Sequence, residues 1–523
     1  MTRRSPSSQK GTLPTILRVL ILFCLLRASS TQVSFSNINL GNSVLDPTAT
    51  GGFTVSGSAT GKNFANAVSS AGDIDGDGYD DVLIGAYSMN TNAGEAYVVY
   101  GGPKSSMTNL DFTVDTLDPH VTGFKIKGSA GINYLGFSLS KAGDIDNDGF
   151  DDIIIGAYGT SSFKGAAYVI YGRPKSSMMN IDFGTDILDP HVTGFKVTGA
   201  ASSWVGYAVS RAGDINKDGY DDIIIGARLK GLAYVIYGGP KSSMVNIDFS
   251  VDTLDPKTTG FIVKGSTASD AVGASASPAG DIDNDGYDDL LIGGPSSKGA
   301  AYVIYGGPKS AMTNIDFSVD VLDPQTTGFS IQGEAFNDYF SQALNTAGDI
   351  NNDGYDDIIL AAYAKSFQKG KVYVLYGGPK SSMTNYDLSV DTLDPHKTGF
   401  TMLGQASLGY FGFSVSTAGD VNRDGYADMI IGAYQMGGNK GAMYVLYGGK
   451  TSSMKNLDFG VDTLDPLTTG FMVTGDGASD KFGAPVGIAD VNKDGYVDFL
   501  VGAVGWIGNF GAAYVLYTGI IGF

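Results

Sequence analysis

An acidic loop near the start of the chain lies between two short apolar runs and has aspartates at alternate positions. At positions 1, 3, 5 and 9 of this nine-residue loop the residues are Asp73, Asp75, Asp77 and Asp81. Alternate residues of a tight loop can point their oxygens at one centre, and Ca²⁺ takes about six to eight oxygen ligands. Gly78 at position 6 permits the turn, and the carbonyl oxygen of Tyr79 at position 7 offers a further ligand. The pattern predicts a calcium site.

The same loop occurs seven times, at intervals of 67 to 71 residues. One such loop could arise by chance, but seven in phase indicate a repeat protein with up to seven bound Ca²⁺ ions. From position 1 to position 9, the predicted ligands of repeats 2 to 4 are Asp144, Asp146, Asp148, Phe150 and Asp152; Asp214, Asn216, Asp218, Tyr220 and Asp222; Asp281, Asp283, Asp285, Tyr287 and Asp289. Those of repeats 5 to 7 are Asp349, Asn351, Asp353, Tyr355 and Asp357; Asp420, Asn422, Asp424, Tyr426 and Asp428; Asp490, Asn492, Asp494, Tyr496 and Asp498.

These loops differ from EF-hands. An EF-hand has a bidentate Glu at position 12, whereas that position is apolar here, as at Ile84. In the alternative interpretation the loops are acidic turns without metal, but three or four carboxylates would then repel one another. Because the loop is regular across all seven repeats, we expect each ion to pin a hairpin rather than to act as a switch.

Composition and charge narrow the class of protein. The formal net charge is −20, and a surface of this sign repels phosphate backbones, which argues against nucleic acid as a partner. The chain has 75 glycines and an aromatic content of 11%, which together favour a turn-rich all-β fold over a disordered chain.

Residues 1–30 have the pattern of a secretory signal peptide. Basic residues precede the apolar run Val19–Leu26, and the small residues Ala28 and Ser30 follow it. The run is too short for a membrane span, which needs about 20 apolar residues, and no later run is longer. The only cysteine, Cys24, lies inside this segment. We therefore expect a secreted chain without disulfides, in which bound metal takes over their stabilising role.

Each repeat contains four short runs typical of β-strands. In the second repeat they are Gly136–Ala142, Ile153–Ala157, Ala166–Tyr171 and Phe195–Val197. The runs are rich in Val, Ile and Tyr and are bounded by Gly, Asp and Pro. The middle two are apolar throughout, as expected for a sheet covered on both faces. Four antiparallel strands repeated seven times predict an all-β fold, the seven-bladed β-propeller.

The two ends of the chain predict how the ring closes. Gly51–Gly57 precedes the first acidic loop and corresponds to a fourth strand, whereas Ala513–Tyr517 is a third strand with no fourth strand after it. We expect the N-terminal strand to complete the last blade, which removes an exposed sheet edge. The predicted blades, all within one domain of residues 31–523, are residues 63–128, 134–199, 204–265, 271–333, 338–404, 410–475, and 481–517 together with 51–57.

Three segments of the sixth repeat, Phe411-Gly412, Ser416–Asp420 and Ile431–Ala433, resemble FG-GAP repeats, the blades of the integrin alpha-subunit head. Phe482-Gly483 repeats the first pair, and the resemblance covers about residues 51–517. It implies a seven-bladed propeller with calcium held between strands one and two and with protein ligands docking on the opposite face. Integrin heads carry the loop in only some blades, whereas every repeat has it here. The resemblance therefore defines the fold better than the partner.

The loops on the face opposite the acidic loops vary most in sequence and length, as binding loops on a rigid scaffold often do. Exposed aromatic residues would suit recognition of protein or carbohydrate, although they could equally pack between blades. The candidate ligand-face residues are Phe163, Trp204, Phe336, Phe367, Tyr410 and Trp506.

Two further sets of repeated residues follow the third strand. In five repeats a lysine follows a proline: Lys104, Lys175, Lys241, Lys309 and Lys380. The sixth, degenerate copy has Lys450. These lysines either offset negative charge or bind anions. The histidines follow Leu-Asp-Pro motifs in three different repeats and have the character of variable loop residues: His120, His191 and His396. We find no catalytic constellation among these residues.

The sequence thus predicts a secreted, calcium-binding propeller that acts as an extracellular binding or adhesion module for a protein or carbohydrate. Two alternatives stay open. One is an exported enzyme, either carbohydrate-active or hydrolase-like, because a propeller channel can host a site that sequence does not reveal. The other is a purely structural surface protein.

Overall fold

The computed structural model describes residues 38–39, 45, 51–58, 63–129, 131–506 and 510–519. The predicted signal peptide, residues 1–30, lies outside these described residues. The described strands form seven sheets, each built around one acidic loop, and together they make a seven-bladed β-propeller. This confirms the predicted fold class. We number the blades by the acidic loop that each contains.

Every sheet has the same internal order. Its first four strands run antiparallel, and a fifth strand of two residues pairs in parallel with the fourth. In blades 1 to 5 this fifth strand comes from the connection between the third and fourth strands of the following blade. The sequence predicted four strands per blade. The fifth was missed because a two-residue strand is too short to show a periodic pattern.

The strand bounds show how regular the repeat is. From first to fifth, the strands of blade 1 are Phe64–Gly72, Asp81–Ala86, Glu95–Val99, Gly123–Lys127 and Ile181–Asp182. Those of blade 2 are Leu139–Gly143, Asp152–Ala157, Ala166–Ile170, Gly194–Thr198 and Ile247–Asp248. Those of blade 3 are Val205–Gly213, Asp222–Ala227, Leu232–Ile236, Gly260–Lys264 and Ile315–Asp316. Those of blade 4 are Ser275–Gly280, Asp289–Gly294, Ala300–Ile304, Gly328–Gln332 and Tyr386–Asp387.

The last three blades follow the same order. The strands of blade 5 are Phe340–Gly348, Asp357–Ala362, Lys371–Leu375, Gly399–Leu403 and Leu457–Asp458. Those of blade 6 are Phe411–Gly419, Asp428–Ala433, Ala442–Leu446, Gly470–Thr474 and Ile38–Asn39. Those of blade 7 are Phe482–Ala489, Asp498–Ala503, Ala512–Leu516, Gly52–Ser56 and Leu110–Asp111.

Among the described residues, helices occur only in the connections. There, four-residue helical turns follow the second strand in four blades: Met89–Asn92, Thr160–Phe163, Lys365–Gln368 and Met436–Asn439. The 3-10 turns are Lys175–Ser177, Arg228–Lys230, Lys241–Ser243, Ala268–Asp270, Lys380–Ser382 and Thr451–Ser453. None of the helices in the described part of the chain has the length and apolar character needed to cross a bilayer.

The N-terminal strand closes the ring. Gly52–Ser56 pairs antiparallel with Ala512–Leu516, so that Thr54 lies opposite Tyr514. This confirms the predicted closure. The preceding segment adds a contact that the sequence did not predict, since Ile38–Asn39 pairs in parallel with the fourth strand of blade 6. The start of the chain therefore contributes strands to two neighbouring blades.

The core lies between adjacent blades. The second and third strands of each blade are buried almost throughout; in blade 2, for example, Ile153, Ile154 and Ile155 are fully buried. Residues on one face of a blade pack against the next blade, and one core cluster, for example, contains both Leu291 of blade 4 and Leu360 of blade 5. Burial on both faces explains why the middle strands are apolar runs rather than alternating ones.

Strand direction divides the loops between two faces. The acidic loops, which join first to second strands, share one face with the third-to-fourth connections; we call this the acidic face. The second-to-third and blade-to-blade connections lie at the other ends of the same strands, and we call this the opposite face. The antiparallel pairing of consecutive strands requires this division.

Candidate metal sites

Each acidic loop wraps its backbone around its first aspartate. In blade 1 the N–H of Gly78 donates to Asp73 Oδ2 at 2.8 Å, and the N–H of Tyr79 donates to Asp77 Oδ1 at 3.1 Å. The equivalent pair of hydrogen bonds recurs in the other six loops. Gly78 has a φ of +89°, a left-handed conformation that favours glycine at position 6. The backbone thus holds the carboxylates in one arrangement before any ion binds.

Three of the loops bring carboxylate oxygens close enough to share an ion. One oxygen from each member of these sets lies within 4.8 Å of the others: Asp73, Asp75 and Asp77; Asp144, Asp146 and Asp152; Asp281, Asp283 and Asp285. Two ligands of one Ca²⁺ lie about 5 Å apart at most, because each Ca²⁺–oxygen distance is about 2.3–2.6 Å. These aspartate clusters have the chemistry and spacing to hold a metal ion.

The side chain at position 3 of each loop shows whether the loop suits a bound cation. In five loops it has a buried oxygen with neither a hydrogen bond nor an ion pair, although these residues are only 6–7% exposed: Asp146, Asn216, Asp283, Asn351 and Asn492. In blade 1 the equivalent oxygen, Asp75 Oδ2, lies 3.1 Å from Lys175 Nζ. A buried acceptor without a donor is destabilising, and a coordinated cation would satisfy it. The loop of blade 6 differs, since Asn422 is more exposed and donates to Asp424 Oδ2 at 3.0 Å. Five of the seven loops therefore fit a cation by this criterion.

The aspartate at position 9 has a second, structural role. It is fully buried in every blade. In blade 3, Asp222 Oδ2 accepts from the N–H of Ile215 at 3.2 Å, and its Oδ1 accepts from the N–H of Gly238 at 2.8 Å. The carboxylate therefore ties the acidic loop to the end of the third strand.

Burial also makes the charged form of these position-9 carboxylates costly. It raises the pKa of Asp428 to about 7 and that of Asp498 to about 8. Burial raises the pKa well above its usual range for the equivalent carboxylates Asp81, Asp152, Asp222, Asp289 and Asp357. A divalent cation at the loop centre would favour the ionised form at neutral pH.

Replacing Asp222 with alanine tests the structural role. Loss of the carboxylate leaves the N–H groups of Ile215 and Gly238 without their acceptor, so we expect the free energy of unfolding to fall by about 2–5 kcal/mol. Denaturant unfolding in a chelating buffer measures this loss separately from any loss of metal. The matched variant Asp222→Asn retains an acceptor and should lose less. An alanine variant as stable as the wild type would contradict the assignment.

Position 8 is a site residue that the sequence analysis missed. In five blades it is an aspartate whose Oδ2 accepts from the position-1 N–H of the preceding blade, as Asp151 does from Asp73 at 2.9 Å. The residue recurs in five of seven repeats, but its partner lies in another repeat. Blades 6 and 7 have Ala427 and Val497 at this position.

The repeated histidines and lysines also join neighbouring blades on the acidic face. His120 Nδ1 lies 2.7 Å from the carbonyl oxygen of Lys175, and the equivalents are His191 with Lys241 and His396 with Thr451. The ammonium groups of Lys104, Lys175, Lys241, Lys309 and Lys380 form ion pairs with acidic loops. These lysines therefore offset negative charge rather than bind anions.

The structure places all six candidate ligand-face residues on the opposite face. Phe163 and Phe367 lie in helical turns after second strands, where Phe367 is 90% exposed. Phe336 is also exposed, whereas Trp204, Tyr410 and Trp506 are half-buried. Trp204 contacts Phe163 with ring centroids 6.1 Å apart.

The same face carries aromatic residues that the sequence analysis did not select. Phe137 lies 5.5 Å from Tyr87 and 4.8 Å from Tyr158, and Tyr158 lies 5.3 Å from Trp204, so one network spans blades 1 to 3. A second network in blades 5 and 6 contains Tyr339, Tyr363, Tyr410, Phe413 and Tyr434. The recurrence of tyrosine directly after the second strand was the signal that could have found them.

Comparison with known proteins supports the assignment of the repeats. A family model for the FG-GAP repeat matches residues 64–99, 135–170, 205–236, 272–304, 344–375 and 411–446. Each matched segment runs from the first-strand region to the third strand of one blade.

Related proteins were found among the integrin alpha subunits. Integrin alpha pat-2 of Caenorhabditis elegans is 27% identical over 323 residues, which is 59% of this chain and 23% of that protein. Integrin alpha-V of Gallus gallus is 26% identical over 238 residues, 44% of this chain and 20% of that protein. The matched region therefore spans less than a quarter of the length of these relatives.

Among solved structures, the crystal structure of BBS1N in complex with ARL6DN, soaked with lead, has a TM-score of 0.41 and 9% sequence identity, covering 87% of this chain and 92% of that chain. The assignment depends instead on the matched repeats, the integrin alpha relatives and the observed propeller. The chain carries six FG-GAP repeats and is integrin-alpha-like.

Proposed function

We propose that this protein is an exported, calcium-stabilised propeller that binds an extracellular ligand through its opposite face and so acts as a binding or adhesion module. Residues 1–30 would direct export, and residues 31–523 would form the single mature domain. The observation that carries the proposal is the division of chemistry between the two faces. Acidic loops that each contain a buried aspartate occupy one face, and aromatic residues that are exposed or half-buried occupy the other.

Calcium is the ion that suits the donors of the acidic loops. Aspartate, asparagine and backbone carbonyl oxygens are hard ligands, and the described loops contain no histidine or cysteine at the ligand positions. In this proposal position 3 contributes a buried oxygen, and positions 1 and 5 contribute oxygens held by the loop N–H groups. The bound ion would offset carboxylate repulsion and pin the first hairpin of each blade.

The backbone on the opposite face supports a binding role for the aromatic residues. Six of them adopt left-handed φ values between 53° and 66°: Tyr134, Phe163, Trp204, Tyr339, Phe367 and Tyr410. Such conformations are costly for bulky side chains and are retained where the surrounding structure imposes them, often at ligand sites. The fold therefore holds aromatic side chains in a fixed arrangement that the chain would not otherwise favour.

We infer that the ligand is an extracellular protein. Rigid aromatic side chains that also carry a polar group are typical of the residues that contribute most of the binding energy at protein interfaces. The integrin alpha subunits named among the relatives favour the same class. A carbohydrate would use aromatic stacking too, and the experiment below separates the two.

Replacing the two exposed phenylalanines of the helical turns, Phe163→Ser with Phe367→Ser, should weaken ligand binding at least tenfold while leaving the melting temperature nearly unchanged. Truncating a central aromatic contact typically costs about 2 kcal/mol or more. Binding of the full chain to immobilised extracellular matrix proteins and to a glycan array, in millimolar calcium, measures the effect.

The matched control is Val390→Ser. Val390 is 77% exposed but lies in a third-to-fourth connection on the acidic face, so this variant should bind like the wild type. If the chain binds glycans but no matrix protein, the ligand is a carbohydrate and not a protein. Equal loss in the control and the double variant, or no loss in either, would contradict the proposed binding face.

A further inference from the structure

The lysines that follow the third strand enter the acidic loops of the preceding blades. Lys175 Nζ, in blade 2, lies 3.1 Å from Asp75 Oδ2 and 2.5 Å from Asp77 Oδ2, both in blade 1. The same ammonium lies 4.7 Å from the ring centroid of Tyr100, at the end of the third strand of blade 1. Lys175 is thus held between a tyrosine ring and the two carboxylates at positions 3 and 5.

Four other lysines repeat this arrangement. Lys380 Nζ lies 3.1 Å from Asp283 and 2.7 Å from Asp285, and Lys241 pairs with Asp146 and Asp148. Lys309 and Lys104 each contact only the aspartate at position 5, because position 3 of those loops is asparagine. All four also lie over the equivalent tyrosine rings: Tyr171, Tyr237, Tyr305 and Tyr517.

The loops of blades 5 and 6 differ from the other five. Within the described residues, no lysine or arginine forms an ion pair with either loop, and Thr451 begins the 3-10 turn that Lys380 begins in blade 5. These two loops also receive no position-8 carboxylate, because the following blades have Ala427 and Val497 there. The ring therefore contains two kinds of acidic loop.

The distribution of charge explains why the lysines are needed. In every loop with aspartate at position 3, that carboxylate is buried and a lysine pairs with it. A buried charge without a partner is strongly destabilising, and the ammonium supplies the partner when no metal is bound. The oxygens that the lysine contacts belong to the same carboxylates that a calcium ion would need. Two cations that share these carboxylates repel each other.

We propose that these five lysines are built-in counter-cations that compete with calcium, so that the lysine-free loop of blade 5, where the buried oxygen of Asn351 has no hydrogen-bond donor, binds calcium more tightly than the five lysine-paired loops. This inference rests on the proposed calcium binding. The lysines hold the loops of blades 1 to 4 and 7 in place without metal, and those loops fill only at higher calcium concentrations.

The test is a calcium titration of the full chain and of the double variant Lys175→Met, Lys380→Met. Methionine keeps much of the lysine stem's apolar contact but removes the charge. Removing a like charge at a partly exposed site should tighten calcium binding at two sites by about tenfold. The same variant should melt at a lower temperature than wild type in a chelator. Lys455→Met is the control, since Lys455 is 64% exposed and pairs only with Asp462, outside the loops.

The outcomes separate this inference from the proposed function. Unchanged or weaker calcium binding in the double variant would overturn it and show that the lysines support the ion. If the double variant does not fold in chelator, Lys309→Met gives the same test, because Lys309 neutralises no charge at position 3 in the loop of blade 3. A folded wild-type chain that binds no calcium at all would instead contradict the proposed calcium sites.

Discussion

Val55→Asp is expected to prevent the ring from closing. Val55 is fully buried in the strand that completes blade 7, where it lies opposite Ala513. A carboxylate there has no partner, so the strand should dissociate and expose the edge at Ala512–Leu516. A buried unpaired charge of this kind costs about 4–5 kcal/mol or more. We expect loss of the cooperative unfolding transition and aggregation of the variant.

Thr54→Asp is the control for this variant. Thr54 is the neighbouring residue of the same strand and is only partly buried, so the same substitution should be tolerated with a much smaller loss. Circular dichroism on heating and size-exclusion chromatography distinguish the two variants. If Val55→Asp stays monomeric and unfolds at the wild-type temperature, the N-terminal strand does not carry closure.

Removal of calcium is expected to have the second largest effect. Each ion bound at about 100 times its dissociation constant stabilises the fold by about 2.7 kcal/mol. Several such ions should together raise the melting temperature by about 10 °C or more. Differential scanning calorimetry of the full chain in calcium and after chelation measures the shift. We expect the change to be reversed when calcium is restored.

Magnesium is the control ion for this experiment. It requires a near-octahedral site and loses its water reluctantly, so it should restore much less stability than calcium at the same concentration. A melting temperature that is the same with calcium, with magnesium and with chelator would show that the loops are stable acidic turns. The calcium part of the proposed function would then be wrong.

The repeat made most of the fold predictable. Seven copies of the loop and of the apolar second strand, such as Ile153–Ala157, set the number of blades. The missing fourth strand after Ala513–Tyr517 predicted the closure that the pairing of Gly52–Ser56 confirms. The fifth strands were missed because each has two residues and its partner lies in a different repeat. Pairing between repeats leaves no periodic pattern within one repeat.

The acidic sites were predictable only within each loop. The spacing of Asp73, Asp75 and Asp77 predicts one carboxylate cluster, and their oxygens do converge. The contributions of Asp151 and Lys175 to that loop could not be predicted, because both come from blade 2. Such contacts depend on how neighbouring blades are rotated against each other, which is a property of packing and not of spacing along the chain.

The aromatic face was predictable in position but not in extent. Residues such as Phe367 were chosen from variable loops, whereas Tyr158 and Tyr363 directly follow second strands and belong to the regular repeat. The ring contacts that these tyrosines make depend on how neighbouring blades pack, since Tyr158 contacts Trp204 of blade 3 and Tyr363 contacts Tyr410 of blade 6. The sequence of one repeat does not show how neighbouring blades pack.

Counting the ions bound per chain tests the central claim most directly. Chelator-stripped full chain would be dialysed to equilibrium against calcium over a range of concentrations, and bound ions would be counted by elemental analysis. The account predicts as many as seven ions at saturation, with the ion of blade 5 bound more tightly than those of the lysine-paired loops. A folded chain that takes up no calcium at millimolar concentration would contradict it.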